Sequence, residues 1–176
     1  MIEIVPFQPR FAGGVVAVIL PIQQSEFAIP ISLEAQPDIQ DIGAFYQRGA
    51  GNFWVALADG KVVGTLGLLD IGNGQSALRK MFVVAEYRGS THSTAQRLLQ
   101  VLMDWCRGHA IREVYLGTTA KFLAAHRFYE KNGFREIARA ELPAAFPVMS
   151  VDSKFYGHAV QPVQGRAGIR PTTIMD

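Results

Sequence analysis

The sequence predicts a mixed α/β (α+β) fold, in which a mostly antiparallel central sheet of six to seven strands is flanked by four helices. Two observations predict it. Residues 52–84 alternate apolar strand-like runs with tight turns, and residues 94–132 hold two helical patterns separated by a short apolar run. Because a helix lies between the strand ending near residue 84 and the strand beginning near residue 111, these two strands are expected to run parallel.

The first fifty residues predict one strand and two short helices. Residues 2–5 form the strand, and Pro9 suits the first position of the helix that follows. Pro21 is expected to end or kink that helix, since proline has no backbone N–H to donate. Asp38 is expected to cap the second helix, which ends near Gly49. Two short helices here would form a rim suited to gripping a substrate.

An antiparallel meander of three strands is predicted next. Its strands are expected at residues 52–58, 61–70 and 76–84. Asp59 and Gly60 form a typical hairpin turn, because both residues tolerate a positive φ angle. A second glycine-rich turn at residues 72–74 joins the last two strands.

The second half of the chain begins with a long amphipathic helix at residues 94–109. Its apolar stripe is formed by Ala95, Leu98, Leu99, Leu102 and Cys106. Residues 111–117 are expected to form the parallel strand. Thr118 or Thr119 is then expected to cap a helix at residues 121–132.

Residues 1–156 are expected to form a single domain, whose last two strands lie at residues 134–138 and 148–155. From Gly157 onward the apolar residues show no periodicity and are scattered among Gly, Pro and Arg. Residues 157–176 are therefore predicted to form a C-terminal tail, or an arm that packs on a neighbouring chain, as in a homodimer.

Composition excludes several classes of function. The chain of 176 residues is 18% charged with a net charge of +2, which gives no reason to expect nucleic-acid binding. Its single cysteine, Cys106, cannot form an internal disulfide or a thiolate zinc cluster, and no metal site is predicted. The N-terminus lacks a signal-peptide pattern, and no apolar run approaches the roughly 18 residues of a membrane span. A cytoplasmic protein without membrane contact is therefore predicted.

The stretch from Leu78 to Ala95 predicts an anion site. An apolar strand leads into a loop of small hydroxylated residues and then into the long helix. Free backbone N–H groups and the positive end of the helix dipole converge at such a helix N-terminus. An ordinary surface loop with a Ser or Thr cap would have the same local sequence, so the assignment depends on the rest of the chain.

Two blocks of sequence carry a resemblance to a known family. The first is Met81–Gly89, followed by Ser90–Ala95, and the second is Ala125–Phe134, which matches the pattern A-x-x-F-Y-x-x-x-G-F. Together with the meander before them, they resemble the GCN5-related N-acetyltransferase (GNAT) family over residues 52–155. The resemblance implies acetyl-CoA as co-substrate, and a sheet that is splayed between its fourth and fifth strands.

The same resemblance implies a coenzyme site. The family's pyrophosphate loop, Q/R-x-x-G-x-G/A, falls on Ser90–Ala95, where Ser90 and Ser93 depart from the pattern. Ser93 is expected to cap the helix, and Arg88 to supply a cation to the phosphates. The amides of Phe82 and Val83 would pair with the pantetheine arm and polarise the acetyl carbonyl. The implied coenzyme-binding residues are Phe82, Val83, Arg88, Gly89, Ser90, Thr91, His92, Ser93, Thr94 and Ala95.

Tyr129 is the expected catalytic residue. In the family, the tyrosine of the second block bonds the coenzyme sulfur and can protonate the departing thiolate. Complete transfer of a proton from a phenol to an alkyl thiolate is uphill by about 2 kcal/mol, so stabilisation by a hydrogen bond is the easier role. Phe122 stands where the family often has an asparagine for the pantetheine amide. His126 could approach the site from one turn before Tyr129, but is interpreted as a surface residue. His92 is interpreted as a phosphate neighbour or a solvent-facing residue rather than a base.

A general base is not evident from the sequence. The central strand offers Arg79 and Lys80 instead of a glutamate. Four acids in the N-terminal rim are candidates to attract a cationic substrate or to relay its proton through water: Glu26, Glu34, Asp38 and Asp41.

The predicted function is transfer of an acetyl group from acetyl-CoA to a primary amine by direct attack in a ternary complex. The acceptor would be a small molecule or a peptide. The alternative is a non-catalytic module of the same fold that binds acyl-CoA and serves regulation. A dinucleotide-binding domain is disfavoured, because a meander precedes the loop instead of alternating strands and helices.

Overall fold

The structure is a computed structural model that describes residues 1–162. Most of the predicted tail at residues 157–176 therefore lies outside the described residues. Within this part of the chain, no helix is both long and apolar enough to cross a membrane.

One seven-stranded sheet organises the described chain, in the order β1-β2-β3-β4-β5-β7-β6. Its strands are β1 Ile2–Pro6, β2 Asn52–Ala58, β3 Lys61–Gly72, β4 Gln75–Val83, β5 Glu113–Thr118, β6 Arg135–Ile137 and β7 Lys154–Ala159. Neighbouring strands are antiparallel except β4 and β5, which are parallel. The predicted fold class, the meander and the parallel pair are confirmed.

Helices cover both faces of the sheet, which is why β2 is buried at every position. The helices are α1 Ala12–Pro21, α2 Pro37–Gln40, α3 Ile42–Tyr46, α4 Thr94–Gly108 and α5 Leu123–Lys131. On one face, α4 packs its predicted apolar stripe on the sheet, and Tyr129 of α5 belongs to the same cluster. On the other face, the N-terminal helices bury side chains such as Val15 and Ile42. Strand alternation assigns Trp54 to the first face, and Phe53 and Val55 to the second.

The N-terminal helices differ from the prediction at two points. Helix α1 does not simply stop at Pro21: the chain continues as one π-helical turn, Ile22–Glu26, in which the Phe27 N–H donates to the Ile22 carbonyl at 3.1 Å. Asp38 does not cap a long second helix. It lies buried inside α2, and the side chain of Asp41 instead accepts the Ala44 N–H at the start of α3.

The last elements are shifted from their predicted positions. Helix α5 begins at Leu123, with Phe122 as its N-cap residue instead of Thr118 or Thr119. The strand predicted at residues 148–155 begins only at Lys154, because Asp152 accepts the Met149 N–H at 2.8 Å and folds residues 149–152 into a turn. Strand β7 then continues to Ala159, three residues beyond the predicted domain boundary.

Candidate active site

A cleft opens in the sheet where β4 and β5 separate. The two strands pair only at residues 75–77 of β4 and 113–115 of β5. From Leu78 onward, β4 is no longer paired with β5, which continues alongside β7 to Thr118. The gap widens into a cleft of about 530 Å³, mostly apolar, between the end of β4, the start of α5, the π-helical turn and the loop at residues 146–152.

Strand geometry decides which β4 amides face this gap. The Val84 N–H donates to the Val63 carbonyl of the β3 side at 2.9 Å. Because successive backbone groups of a strand point to opposite sides, the N–H and C=O of Val83 point away from β3 and toward the gap, while those of Phe82 point to β3. Of the two predicted amides, Val83 is therefore the accessible one, and Phe82 lines the cleft with its side chain.

The loop after β4 brings the predicted phosphate-binding residues to the start of α4. Gly89 and Ser93 both have positive φ angles, of 88° and 50°, and the Ser93 N–H donates to the Gly89 carbonyl at 3.0 Å. The predicted cap by the Ser93 side chain is wrong: its hydroxyl donates to the Ser90 carbonyl at 3.1 Å instead, because the left-handed backbone turns the side chain away from the first helical amides. The next residue, Thr94, begins the helix.

Among the described residues, Thr94 stands out because its buried hydroxyl has no hydrogen-bond partner. It is 1% exposed, and its Oγ1 is buried without a hydrogen-bond partner. The first N–H groups of α4 also lack intrahelical acceptors, as at any helix N-terminus. A buried hydroxyl without a partner is unfavourable by about 1–3 kcal/mol. Because Thr94 does not line the cleft, the N–H groups at this end of α4 are the groups that a ligand oxygen would satisfy.

Arg88 connects the loop to the N-terminal rim. Its Nε donates to the Val83 carbonyl at 2.7 Å, and its two terminal nitrogens bond both oxygens of Glu26. This pair lowers the pKa of Glu26 through hydrogen bonding to the guanidinium. Both side chains remain more than one third exposed, so solvent screens their attraction.

Tyr129 lies on α5 at the gap, as predicted for the second block. It is 6% exposed, and its hydroxyl donates to the Met81 Sδ at 3.7 Å. Burial raises the pKa of this phenol well above its usual value near 10, so the hydroxyl is protonated and able to donate at neutral pH. The Tyr129 hydroxyl therefore points at the sulfur atom of Met81, a residue that lines the cleft.

On the opposite face of the sheet, two cations enter the cleft from β4. Arg79 Nη2 and Lys80 Nζ lie 3.6 Å and 3.7 Å from the same oxygen of Asp38. Asp38 also accepts a hydrogen bond from the Tyr46 hydroxyl at 2.6 Å. From sequence, this basic pair was noted only as standing where a glutamate general base would be expected. Two consecutive positive charges inside a mostly apolar strand could have indicated a functional pair.

The four acids predicted to attract a cationic substrate have other roles. Glu26 is paired with Arg88, Asp38 with the two cations, and Asp41 caps α3. Glu34 is exposed and does not line the cleft. The carboxylate that does line it is Asp152, which sequence analysis missed because residues 148–155 were predicted as a strand.

The two histidines also have defined surroundings. His126 is not a surface residue: it is buried, and its Nε2 lies 2.9 Å from the Thr119 carbonyl, which gives it a structural role. His92 lies half-buried in the loop, with its ring 5.2 Å from the Tyr87 ring. In residues 1–162, no three His, Cys, Asp or Glu side chains are grouped to hold a metal ion.

Solved structures share this architecture. An acetyltransferase of the GNAT family from Staphylococcus aureus aligns with a TM-score of 0.87 and 38% sequence identity, over 92% of this chain and 100% of that one. An acetyltransferase from Streptococcus agalactiae aligns with a TM-score of 0.85 and 32% identity, over 90% and 98% of the two chains. A Thermoplasma acidophilum N-acetyltransferase in complex with coenzyme A shares the fold, with a TM-score of 0.69 at 17% identity over 90% and 99% of the two chains.

Curated relatives match over about three fifths of the chain. N-acetylaspartate synthetase from Xenopus tropicalis is 35% identical over 108 residues, which is 59% of this chain and 38% of the relative. The human N-acetylaspartate synthetase is 34% identical over 106 residues, 59% of this chain and 34% of the relative. The matched region thus spans little more than a third of these relatives. The model of the Acetyltransferase (GNAT) family matches residues 17–134. The chain belongs to the GNAT family.

Proposed function

We propose that this protein transfers the acetyl group of acetyl-CoA to a primary amine, by direct attack within a ternary complex. The observation that carries the proposal is the gap between β4 and β5, which joins the loop at the start of α4 to the cluster around Arg79 and Lys80. Coenzyme would enter from the loop at the start of α4, and the amine from the cluster around Arg79 and Lys80. The acetyl thioester and the amine would then meet beside Tyr129.

The residues at the α4 end suit a pyrophosphate. The first N–H groups of α4 have no intrahelical acceptor, and Gly89 has open space around its Cα. The half-charge of the helix N-terminus favours an anion there. The mostly apolar cleft suits the pantetheine arm. The Val83 N–H faces the gap and could donate a hydrogen bond to that arm.

We align the family's loop pattern two residues earlier than its first placement on Ser90–Ala95. Arg88 then supplies the long polar first residue, and Thr91 and Ser93 occupy the two positions where the family prefers small residues. The side chain of Arg88 is what favours this alignment, because Ser90 offers no long polar group at the first position. In this register Arg88 would release its ion pair with Glu26 and bind the phosphates instead.

Tyr129 would act by holding the coenzyme sulfur. Its hydroxyl already donates to a thioether sulfur, that of Met81, and would turn to the thiol sulfur of the bound co-substrate. Since burial raises the pKa of this phenol, complete proton transfer to a thiolate is less favourable than in water, and stabilisation by a hydrogen bond is the role that fits. The Val83 N–H would polarise the acetyl carbonyl.

A covalent acyl-enzyme is not part of this proposal. Cys106 is the single cysteine and lies fully buried in the α4 stripe, outside the cleft. Burial raises the pKa of its thiol to about 12, so almost no thiolate exists near neutral pH. Direct attack by the amine requires no such nucleophile.

The names of the relatives indicate which acceptors to test first. Proteins named N-acetylaspartate synthetase are 34–35% identical to this chain over their matched regions. L-aspartate therefore heads the panel, followed by other amino acids, polyamines and short peptides with a free N-terminus.

Release of free thiol from acetyl-CoA tests the proposal. We expect release with at least one amine of the panel, and we expect Tyr129→Phe to reduce kcat by about 100-fold while coenzyme affinity changes little. Tyr115→Phe is the matched control, because its hydroxyl bonds Glu113 and its side chain lies outside the cleft. Tight coenzyme binding without thiol release would favour the non-catalytic module, and absence of coenzyme binding would contradict both functions.

A further inference from the structure

We infer that the acceptor amine carries a carboxylate group, which Arg79 and Lys80 bind. This inference rests on the proposed acetyl transfer and names the class of its second substrate. It reverses the expectation, drawn from the acids of the N-terminal rim, that the acceptor is cationic.

An irregularity in β4 creates the binding pair. Neighbouring residues of a regular strand point to opposite faces of the sheet. Here Lys80 and Met81 lie opposite the single residue Leu66 of β3, which is the arrangement of a β-bulge. Lys80 consequently shares the face of Arg79, and Met81 returns to the face of Tyr129.

The bulge holds Lys80 in a strained conformation. Its φ angle is 54°, which is unfavourable for a residue other than glycine. The Thr65 hydroxyl fixes the bulge by donating to the Lys80 carbonyl at 2.7 Å. Strain that persists beside a cleft, and that turns a second cation into it, is consistent with a functional role for the pair.

Two carboxylates act on the pair, Asp38 and the cleft-lining Asp152, and neither occupies the Arg79 guanidinium with a hydrogen bond. Asp38 faces both of them, but its side chain is 4% exposed and one of its oxygens already accepts the Tyr46 hydroxyl. Lys80 also donates to the Gln36 amide oxygen at 2.6 Å. In residues 1–162, the hydrogen bond found for the Arg79 guanidinium goes to the Met149 thioether at 3.5 Å, a weak acceptor. The planar fork of Arg79 thus retains donors for a carboxylate, which it can bind through two bonds.

The charges that line the cleft also favour an anionic acceptor. Four cationic side chains line it: Arg79, Lys80, Arg88 and Lys121. Asp152 is the one carboxylate among the lining residues that the structure describes. A polycation would place positive charge against the basic pair, which is repulsive. An amino acid would instead offer its carboxylate to the pair and leave Asp152 for its amine.

Matched pairs of acceptors test the inference. Thiol release from acetyl-CoA would be measured with L-aspartate, L-glutamate and glycine, with the dimethyl esters of the first two and the methyl ester of glycine, and with spermidine. We expect kcat/KM to be higher for the acids than for their esters by about tenfold or more, since the ester removes the charge that Arg79 binds. Esters or spermidine that react as well as the acids would overturn the inference, although the proposed acetyl transfer would stand.

Two variants assign the effect to the pair. Arg79→Gln should raise KM for the acid by about tenfold or more while kcat changes less than about threefold, and should leave the ester unaffected. Lys80→Asn should act in the same direction, and asparagine tolerates the positive φ of the bulge. Arg48→Gln is the control, because Arg48 is exposed and outside the cleft. Equal KM values in Arg79→Gln and Arg48→Gln would contradict the assignment.

A binding measurement separates this inference from the proposed function. L-aspartate and its dimethyl ester would be titrated calorimetrically into the protein saturated with coenzyme A. Binding of the acid that is lost in Arg79→Gln, in a protein that acetylates no amine, would support the carboxylate site and contradict acetyl transfer. If none of the acids binds or reacts, the carboxylate site is wrong. Retained coenzyme binding in each variant verifies that it is folded.

Discussion

The two sides of the cleft are built in different ways. The side proposed for the coenzyme is nearly continuous in sequence: residues 81–95 supply the end of β4, the loop and the start of α4. The side proposed for the acceptor is assembled from distant segments, namely the π-helical turn, α2, the bulge of β4 and the turn at residues 149–152. The first side belongs to the α4 face of the sheet and the second to the α1–α3 face, and the two meet where β4 and β5 separate.

Because the two sides are built from different segments, substitutions can change one side without changing the other. A coenzyme site made of one strand, loop and helix is a local motif, and it is compatible with many acceptors. An acceptor site made of four segments changes with any of them. Arg88 and Glu26 are the direct link between the sides, since one lies on the loop and the other at the end of the π-helical turn.

The largest effect expected from this comparison is that removing one cation from each side changes the affinity for one substrate only. Arg88→Gln should weaken coenzyme A binding by about tenfold, because it removes the cation proposed for the phosphates, and should leave the acceptor KM unchanged at saturating coenzyme. Arg79→Gln should have the converse effect. Calorimetry with coenzyme A and steady-state kinetics measure both quantities. If Arg88→Gln raised the acceptor KM while coenzyme affinity stayed constant, the assignment of the two sides would be wrong.

A smaller effect of opposite sign is expected from Glu26→Gln. Glu26 competes with phosphate for Arg88, so its neutral isostere should tighten coenzyme A binding by about threefold; the pair is exposed, which limits the gain. The gain should shrink as salt is raised. Glu34→Gln, an exposed acid of the same rim, is the control. Weaker binding of coenzyme A in Glu26→Gln would show that the ion pair orders the loop for its ligand.

The fold was largely predictable from sequence, because its signals are local. The turns at Asp59-Gly60 and residues 72–74, the α4 stripe and the parallel β4–β5 pair all follow from spacing within a few tens of residues, and the structure contains them. The second sequence block also led to Tyr129, and the structure brings that residue to the cleft.

The acceptor side was not predictable for a physical reason. Asp38 has the sequence of a helix cap, but contacts with Tyr46, Arg79 and Lys80, up to 42 positions away, bury it instead. The bulge that reorients Lys80 depends on its register with Leu66 and on a bond from Thr65 in another strand. Such features depend on tertiary contacts that periodicity does not encode.

Ser93→Gly should change stability slightly and coenzyme affinity little. Relief of the strained φ angle gains about 1 kcal/mol in the free energy of unfolding, and the greater freedom of glycine in the unfolded chain offsets roughly half of it. Coenzyme A binding should be equal or tighter. Denaturant unfolding measures the first quantity. Ser90→Gly, at a position without a positive φ, should destabilise by a similar amount; the same sign in both variants would contradict the role of the backbone at Ser93.

The smallest expected effect concerns Cys106, whose thiol should not react in the folded protein. It is fully buried, and its pKa is raised to about 12, so the thiolate that attacks disulfide reagents is nearly absent at pH 8. An aromatic disulfide reagent should therefore detect no thiol in the native protein and one per chain in denaturant. A native thiol that reacted rapidly would contradict the burial of Cys106, and a Cys106→Ser variant that lost acetyl transfer while remaining folded would contradict direct attack. Because the chain has one cysteine, the same reagent can report coenzyme release without interference from the folded protein.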